Sequence, residues 1–348
     1  MIYLDYQATT PLAPEAYAAM EPWLKDGFAN PHSAHAPGRA AAAEVEVARE
    51  QVAALLPKGG RVIFTSGATE AINLAIKGSG CGNRVAALAT EHAAVLDCVE
   101  YLRGETVAVD AGGLGKEKAL PDVKLYAAML VNNEIGTIQP IARYAHNKGA
   151  LLLCDSVQAY GRMAIPDDPD MIAISAHKIH GPKGIGALWV RGGIDLQPLM
   201  HGGGQEQGLR SGTLSPALCA GFGAAAKLAA QRMEQDADHV AALWDRAVAA
   251  FSDWTINGST AHRYKGNLNI RRDGVDVGRL MSECRDIAFS AGSACASGSG
   301  RPSHVLRAIG LSDAQAKSSI RLGFGRYTTE EEIDIAAEAI NRAAEAML

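Results

Sequence analysis

Residues 171–190 read MIAISAHKIHGPKGIGALWV and contain the pattern from which the fold can be predicted. Two short apolar runs, Met171–Ser175 and Ile185–Val190, flank a polar segment that closes with a Gly-Pro-Lys-Gly turn. Short apolar runs bounded by polar or glycine residues are typical of buried strands. Lys178 follows the first run closely, and α/β proteins bind ligands at the carboxyl ends of their strands. This stretch therefore predicts two strands of a sheet with an ionisable side chain at the sheet edge.

Similar apolar runs alternate with helical patterns through the first half of the chain. Further strands are predicted at Val62–Phe64, Val85–Thr90, Leu125–Asn132 and Ala150–Asp155. Helices are predicted at Pro37–Leu56, Ala68–Lys77, His92–Leu102 and Ile141–Lys148. Alternation of this kind predicts an α/β fold in which helices cover both sides of a mostly parallel sheet.

The pattern changes after Thr213, where regular alternation stops. Ala217–Phe251 predicts a long Ala-rich helix or a helix pair, and Thr328 and Thr329 before Glu331 and Glu332 predict a capping box at the start of a last helix. Less regular strands are predicted at Asn267–Arg271, Ile287–Ser290 and Ser319–Phe324. We expect a large domain over 15–235, a smaller α+β domain over 236–348, and an N-terminal segment, 1–14, packed on the smaller one.

Composition excludes several classes of protein. The chain has 348 residues, 48% of them hydrophobic, which is enough for a large buried core. A net charge of −5 gives no electrostatic basis for nucleic-acid binding. No apolar run reaches the roughly 20 residues that span a bilayer, and no signal peptide is evident, so we expect a soluble cytoplasmic protein. The six cysteines form no CxxC pair, and His177 with His180 lacks a third ligand, so no metal site is predicted.

Polar residues follow five of the predicted strands. The segments concerned are Thr65–Glu70, Glu91–His92, Asn132–Glu134, Asp155–Gln158 and Ser175–Gly184. Because the carboxyl ends of parallel strands meet at one edge of a sheet, we expect these residues to lie together in an active site.

Each of these segments allows a functional and a structural interpretation. The turn from Thr65 to Glu70 joins a strand to a helix and can bind an anion, or can simply cap the helix. A desolvated Lys178 can act as a Schiff-base nucleophile, or can be an ordinary surface charge. Asp155 can hold a protonated ring nitrogen with Gln158 on the same helical face, or can be a helix cap.

Two residues of the C-terminal part are also candidates. Cys295 stands in a Gly/Ser/Ala-rich segment, Ala291–Gly300, without apolar neighbours, which suits either a mobile reactive thiol or a linker with an inert cysteine. Arg321 lies in a strand-like run, where a buried guanidinium needs a carboxylate. That carboxylate can belong to a structural ion pair or to a substrate.

These motifs, in this order, closely resemble the cysteine desulfurases of the NifS/IscS type, pyridoxal-phosphate enzymes of the class V aminotransferase group. The resemblance rests on Tyr3–Pro11, Asn30–Ser33, Ser66–Glu70, Val131–Gly136, His177–Gly186, Arg210–Thr213 and Gly292–Cys295. It extends over essentially the whole chain and implies the large domain of pyridoxal-phosphate fold type I.

The resemblance also implies how the cofactor, pyridoxal 5′-phosphate, is held. Lys178 would bind it covalently and carry the substrate's α-proton. Asp155 would pair with the pyridinium nitrogen, and His92 would stack on the ring and assist proton transfers. Gln158 and Asn133 would bond the phenolic oxygen. The phosphate would be held by Ala68, Thr69, Ser175, His177 and Thr213, the last from a second subunit, which implies a homodimer.

For the substrate, the resemblance implies L-cysteine, with its carboxylate clamped by Arg321 and Asn30. Cys295, on a mobile segment of about residues 291–300, would take the sulfur as a persulfide and leave alanine. The sulfur would pass to an acceptor protein for iron–sulfur cluster assembly or tRNA thiolation. The alternatives are a selenocysteine lyase or another class V transaminase, which need no thiol there, and a catalytically silent scaffold.

One segment departs from the family pattern near the phosphate contact expected across the dimer. Gln205 and Gln207 stand where many members carry histidine and arginine. We therefore expect a weaker positive charge at that contact.

Overall fold

The computed structural model describes residues 1–116, 120–145, 149–292 and 302–348. Its α-helices are α1 (Pro14–Lys25), α2 (Ala36–Ala53), α3 (Ala68–Gly78), α4 (Ala93–Tyr101), α5 (Pro216–Ala250), α6 (Val277–Glu283), α7 (His304–Ala308), α8 (Asp313–Lys317) and α9 (Glu330–Glu345). Its strands are β1 (Ile2–Tyr3), β2 (Gly60–Thr65), β3 (Val85–Leu88), β4 (Glu105–Val107), β5 (Leu125–Met129), β6 (Leu151–Asp155), β7 (Met171–Ser175), β8 (Gly186–Arg191), β9 (Thr255–Ile256), β10 (Asn267–Arg271), β11 (Ile287–Ala288), β12 (Ser290–Ala291) and β13 (Ser319–Gly323). Short 3-10 turns occupy Ile141–Arg143, Ala176–Lys178 and Glu206–Gly208.

The large sheet joins seven of the described strands in the order β2-β8-β7-β6-β5-β3-β4. Neighbouring strands from β7 to β4 are parallel, whereas β8 is antiparallel to both β7 and β2. β7 and β2 therefore point the same way, and the carboxyl ends of β2, β3, β5, β6 and β7 share one edge. The predicted mostly parallel sheet is confirmed.

Helices cover both faces of this sheet, as is typical of mostly parallel sheets, whose strands are buried on both sides. Side chains of β2, such as Phe64, pack with α2 and α5 on one face. The adjacent Ile63 packs on the other face with α3 and α4. The alternation of successive strand side chains between the two faces explains why these strands are apolar along their whole length.

A smaller four-stranded antiparallel sheet, β12-β13-β10-β9, follows in the C-terminal part. β1 pairs in parallel with β11, through Ile2 with Ile287 and Tyr3 with Ala288. Leu4 packs in a second apolar cluster with the end of α5 and with α9. The N-terminal segment therefore lies against the C-terminal part of the chain.

Helix α5 is continuous over 35 residues, which decides between the two predicted possibilities of one helix or a pair. Its first half supplies Phe222 and Ala229 to the cluster on the large sheet. Its second half supplies Val240 and Trp244 to the C-terminal cluster. We propose that the domain boundary lies near residue 235, where α5 passes from one cluster to the other.

The structure also differs from the sequence prediction in places. Helix α1 was not predicted; it contains Pro22, and proline inside a helical pattern argues against a helix. The helix predicted over Ile141–Lys148 is a 3-10 turn at Ile141–Arg143, and residues 146–148 lie outside the described part of the chain. The capping box of α9 is present, since Thr329 Oγ1 accepts from the Glu332 N–H at 3.1 Å and Glu332 Oε2 accepts from the Thr329 N–H at 2.9 Å.

A membrane-spanning helix is not found among the described residues, where none of the helices combines the length and the apolar character that crossing a bilayer requires.

Candidate active site

A cavity of about 680 Å³ opens at the edge of the large sheet where the five strands end. Ten residues expected in the site line it: Ala68, Thr69, His92, Asn133, Asp155, Gln158, Ser175, His177, Lys178 and Arg321. The topology of the large sheet brings nine of them together, because each of these follows or ends a strand or opens the helix after one. Arg321 reaches the cavity from β13 of the smaller sheet.

Two expected residues do not line this cavity, and a third lies outside the described residues. Asn30 is exposed, and its Oδ1 accepts from the His32 N–H at 2.9 Å. Thr213 is exposed on the loop before α5. Cys295 lies outside the described residues.

Lys178 ends the 3-10 turn that directly follows β7. Its Nζ donates hydrogen bonds to the backbone carbonyls of Gln7 at 2.5 Å and Ala8 at 2.7 Å. Gln158 Nε2 donates to the same Gln7 carbonyl at 3.0 Å. The N-terminal segment thus forms a wall of the cavity and holds the lysine that the sequence singled out.

Asp155 ends β6 and is buried, with Oδ1 accepting from the Val157 N–H at 2.9 Å. Burial raises the pKa of Asp155 above its usual range, and the Val157 N–H and the nearby His92 and Lys178 charges oppose that rise. A carboxyl in this position gains most from a partner with a protonated nitrogen, which would stabilise its ionised form.

The part of the cavity lining that belongs to the start of α3 suits an anion. Helix α3 begins there at Ala68, and the N–H groups of a first helical turn have no acceptor within the helix. A Cβ placed on Gly67 would meet nothing within 4 Å, so the space beside the helix start is open. A Cβ on Gly186 would come within 2.8 Å of the Gly67 backbone, so only glycine allows β8 to approach the turn this closely.

The acidic side chain in the first turn of α3, Glu70, is paired with a cation, which is consistent with a bound anion there. Glu70 Oε1 accepts from Arg210 Nε at 2.7 Å, and Oε2 accepts from the Ser66 N–H at 2.7 Å. Burial raises the pKa of Glu70, but these bonds outweigh burial and hold it below its usual range. Its charge is therefore balanced by Arg210.

Burial, with the charges of Lys178 and Lys183, lowers the pKa of His177 to about 4, so its imidazole is neutral near pH 7.

Arg321 is 1% exposed on β13 yet reaches the cavity. Its Nη2 donates to Asp5 Oδ1 at 2.7 Å and its Nη1 to the Asn133 carbonyl at 3.0 Å. Its buried Nε makes no hydrogen bond in the described part of the chain. The structural ion pair, one of the two alternatives from the sequence, is thus present, and the guanidinium also borders the cavity.

Two features in or beside the site were not assigned from the sequence. The backbone carbonyls of Gln7 and Ala8 accept hydrogen bonds from Lys178, which lies more than 160 residues further along the chain. No local sequence pattern reveals such a contact. Glu91 was noted only as part of a polar strand end. It is fully buried, and its Oε1 accepts from the Met129 N–H at 2.6 Å. Burial, reinforced by the charge of Asp155, raises the pKa of Glu91 well above its usual range.

The donor set of this cavity fits pyridoxal 5′-phosphate. Lys178 can bind an aldehyde, buried Asp155 can hold a protonated ring nitrogen, and the start of α3 can bind a phosphate. The fold and the site together define a pyridoxal-phosphate enzyme of fold type I.

Comparison with known proteins agrees. The model of the family "Aminotransferase class-V" matches residues 2–335. Cysteine desulfurase IscS of Rickettsia rickettsii (strain Iowa) is 42% identical over 369 residues, covering 97% of this chain and 90% of that protein. The chain therefore belongs to the class V aminotransferase family, whose cofactor is pyridoxal 5′-phosphate.

Solved structures resemble the chain over nearly its full length. A NifS-like protein has a TM-score of 0.90 and 31% identity, covering 99% of each chain. SspA in complex with cysteine has a TM-score of 0.82 and 34% identity, covering 94% of this chain and all of the other.

Proposed function

We propose that this chain is a pyridoxal-phosphate-dependent cysteine desulfurase that converts L-cysteine to L-alanine and holds the sulfur as a persulfide on Cys295. The observation that carries the proposal is one cavity that unites Lys178, Asp155 and Arg321 in a class V aminotransferase fold. The relatives named cysteine desulfurase favour this activity over a selenocysteine lyase, another transaminase or a silent scaffold.

The cofactor, when bound, supplies an electron sink for the charge left when the substrate loses its α-proton. Asp155 keeps the ring nitrogen protonated, which its buried position makes effective in a low dielectric. Lys178 Nζ accepts and returns the α-proton, and His92, which also lines the cavity, assists the proton transfers. Arg321 orients the substrate by its carboxylate.

Cys295 completes the reaction. Its thiolate attacks the sulfur of the bound cysteine, so that an S–S bond forms and the substrate's C–S bond breaks. The electron pair of that bond stays with the substrate carbon. The carbon then takes up a proton, and the product is released as alanine. The enzyme is left with a persulfide, whose outer sulfur passes to an acceptor protein for cluster assembly or tRNA thiolation.

Incubation with L-cysteine and a dithiol reductant is expected to yield alanine and sulfide in equal amounts, because each turnover releases one carbon product and one sulfur. Alanine is measured by chromatography and sulfide colorimetrically on the same samples. The cofactor's visible absorption is recorded as a control for loading. Loaded enzyme that forms alanine from selenocysteine and not from cysteine would make the chain a lyase of the alternative kind. A keto acid product would make it a transaminase.

We also propose a homodimer in which Thr213 contacts the cofactor phosphate of the other subunit. The proposal is supported by the exposure of Thr213 and by its absence from the lining of its own chain's cavity. Thr213→Ala is expected to weaken cofactor affinity about tenfold or more, the effect of losing one hydrogen bond to a charged group. Absorbance titration of the apoenzyme measures the affinity, and sedimentation measures the mass.

A mixed dimer tests whether the contact crosses between subunits. One chain carries Lys178→Ala and the other carries Thr213→Ala. If Thr213 crosses, the remaining lysine site receives an intact Thr213 and binds the cofactor with wild-type affinity. If the contact is within one chain, that site binds as weakly as the Thr213→Ala homodimer. A fully active monomer would also refute the proposal.

A cytoplasmic location is proposed as well. It is supported by free thiols, which are typical of reducing compartments. Those in the described residues are Cys81, Cys98, Cys154, Cys219 and Cys284.

A further inference from the structure

Ser303 lies just after the segment of the chain that carries Cys295, and it is bonded to the large domain. It is the N-cap of α7, where its Oγ accepts from the Leu306 N–H at 3.1 Å. The same hydroxyl donates its proton to Glu134 Oε2. Both side chains are buried. The single hydroxyl proton is therefore committed to Glu134, while the lone pairs cap the helix.

Glu134 follows Asn133, which lines the cofactor cavity. Its N–H donates to Asn132 Oδ1 at 2.9 Å, and its carbonyl accepts from Asn269 Nδ2 at 3.0 Å. Burial raises the pKa of Glu134, and the Ser303 hydroxyl opposes that rise. Glu134 is thus a fixed acceptor in the turn that follows β5, and the mechanism above does not use it.

A second contact joins the same two regions. His304 Nε2 lies 2.9 Å from the Glu91 carbonyl, in the residue before His92. On the other side of the Cys295 segment, Ser290 Oγ donates at 2.9 Å to Asp5 Oδ1, the carboxylate that Arg321 contacts. The chain is therefore bonded to neighbours of cavity residues both before and after that segment.

We propose that Ser303 and Glu134 are positioning residues that fix where the chain carrying Cys295 joins the cofactor domain. The inference rests on the proposed role of Cys295. Thiol attack depends steeply on geometry, and a displacement of about 1 Å can cost about a hundredfold in rate. Neither Ser303 nor Glu134 lines the cavity, so loss of their bond acts on sulfur transfer and not on cofactor binding.

Ser303→Ala is expected to lower kcat and the single-turnover rate of Cys295 persulfide formation about tenfold, with KM and cofactor absorbance unchanged. The persulfide is quantified from the mass of the alkylated Cys295 peptide. Ser303→Thr keeps the hydroxyl and is expected to stay within about twofold of wild type. The matched control is Ser312→Ala, which removes the N-cap of α8 and should leave both rates unchanged.

A pair of variants at Glu134 gives an independent test should Ser303→Ala fail to fold. Glu134→Gln keeps an acceptor for the hydroxyl and is expected to retain the rate. Glu134→Met has a similar length and no such acceptor, and is expected to lose about tenfold. Equal rates in these two variants would overturn the proposal.

Other outcomes separate this inference from the proposed function. Wild-type rates in Ser303→Ala, equal losses in Ser303→Ala and Ser312→Ala, or a loss of cofactor absorbance would each overturn the positioning role. If Cys295→Ser is inactive in the same assays, the desulfurase proposal then still stands. An active Cys295→Ser would instead refute the proposed function itself.

Discussion

Lys178→Ala is expected to remove the cofactor's visible absorption band and to lower desulfuration by at least about a thousandfold, within the range that positioned acid–base groups supply. The substitution removes the covalent link to the cofactor and the group that carries the α-proton. It also removes the donor to the Gln7 and Ala8 carbonyls. The absorption spectrum after dialysis that removes unbound cofactor measures the loss of the covalent link, and alanine formation measures the loss of activity.

Two further lysine variants serve as controls. Lys178→Arg keeps the positive charge, but guanidinium cannot form a Schiff base under these conditions, so it should be as inactive as Lys178→Ala. Lys77→Ala removes a lysine at the far end of α3, beside Tyr101, and should be fully active. Retention of the absorption band in Lys178→Ala would mean that another residue binds the cofactor.

Cys295→Ser is expected to keep the absorption band and to abolish formation of both alanine and persulfide. A serine hydroxyl does not ionise near neutral pH and is a poor nucleophile toward sulfur, whereas the cofactor contacts lie elsewhere. The measurements are the absorption spectrum with and without L-cysteine, and alanine release.

A partly exposed cysteine is the appropriate control for Cys295→Ser, because several of the other cysteines are buried. Burial raises the pKa of Cys219 to about 12, and it also raises the pKa of Cys154. Neither thiol can therefore act as a thiolate. Cys81 is only partly buried, after the end of α3, and Cys81→Ser should retain full activity. Activity in Cys295→Ser equal to wild type would show that the Cys295 thiol takes no part.

Much of the site could be predicted because it follows a local rule. Lys178 and Asp155 stand directly after, or at the end of, apolar runs, and parallel topology gathers such positions at one edge. The sequence pattern alone did not decide their roles, because the same residue types serve as helix caps and as cofactor ligands. Burial in one cavity supplies the missing information, because a buried carboxyl needs a partner.

The features that escaped prediction depend on contacts between distant parts of the chain. Whether Arg321 serves an ion pair or a substrate could not be chosen from the sequence, and the structure places it at both Asp5 and the cavity. The continuity of α5 depends on two separate clusters that bury its halves. Such tertiary contacts outweigh local propensity.

The two glutamines that depart from the family pattern have their own partners. Gln205 Oε1 accepts from the Gly212 N–H at 2.8 Å, next to Thr213. Gln207 Oε1 accepts from Arg61 Nη1 at 3.0 Å. Both residues therefore act as acceptors that shape the loop before α5, a role that protonated histidine or arginine side chains could not fill.

The pairing of β1 with β11 has a consequence for the order of biosynthesis. Residues 1–8 emerge early from the ribosome, but β11 at Ile287–Ala288 and the Gly323 carbonyl that bonds Tyr6 are made far later. At about 5–20 residues per second, the delay is roughly 15–60 s. The contacts of β1 and Tyr6 with the C-terminal part cannot form during that interval, and Arg321, which lines the cavity, is also made late. The cavity that would capture the cofactor is therefore complete only after β13 has been made.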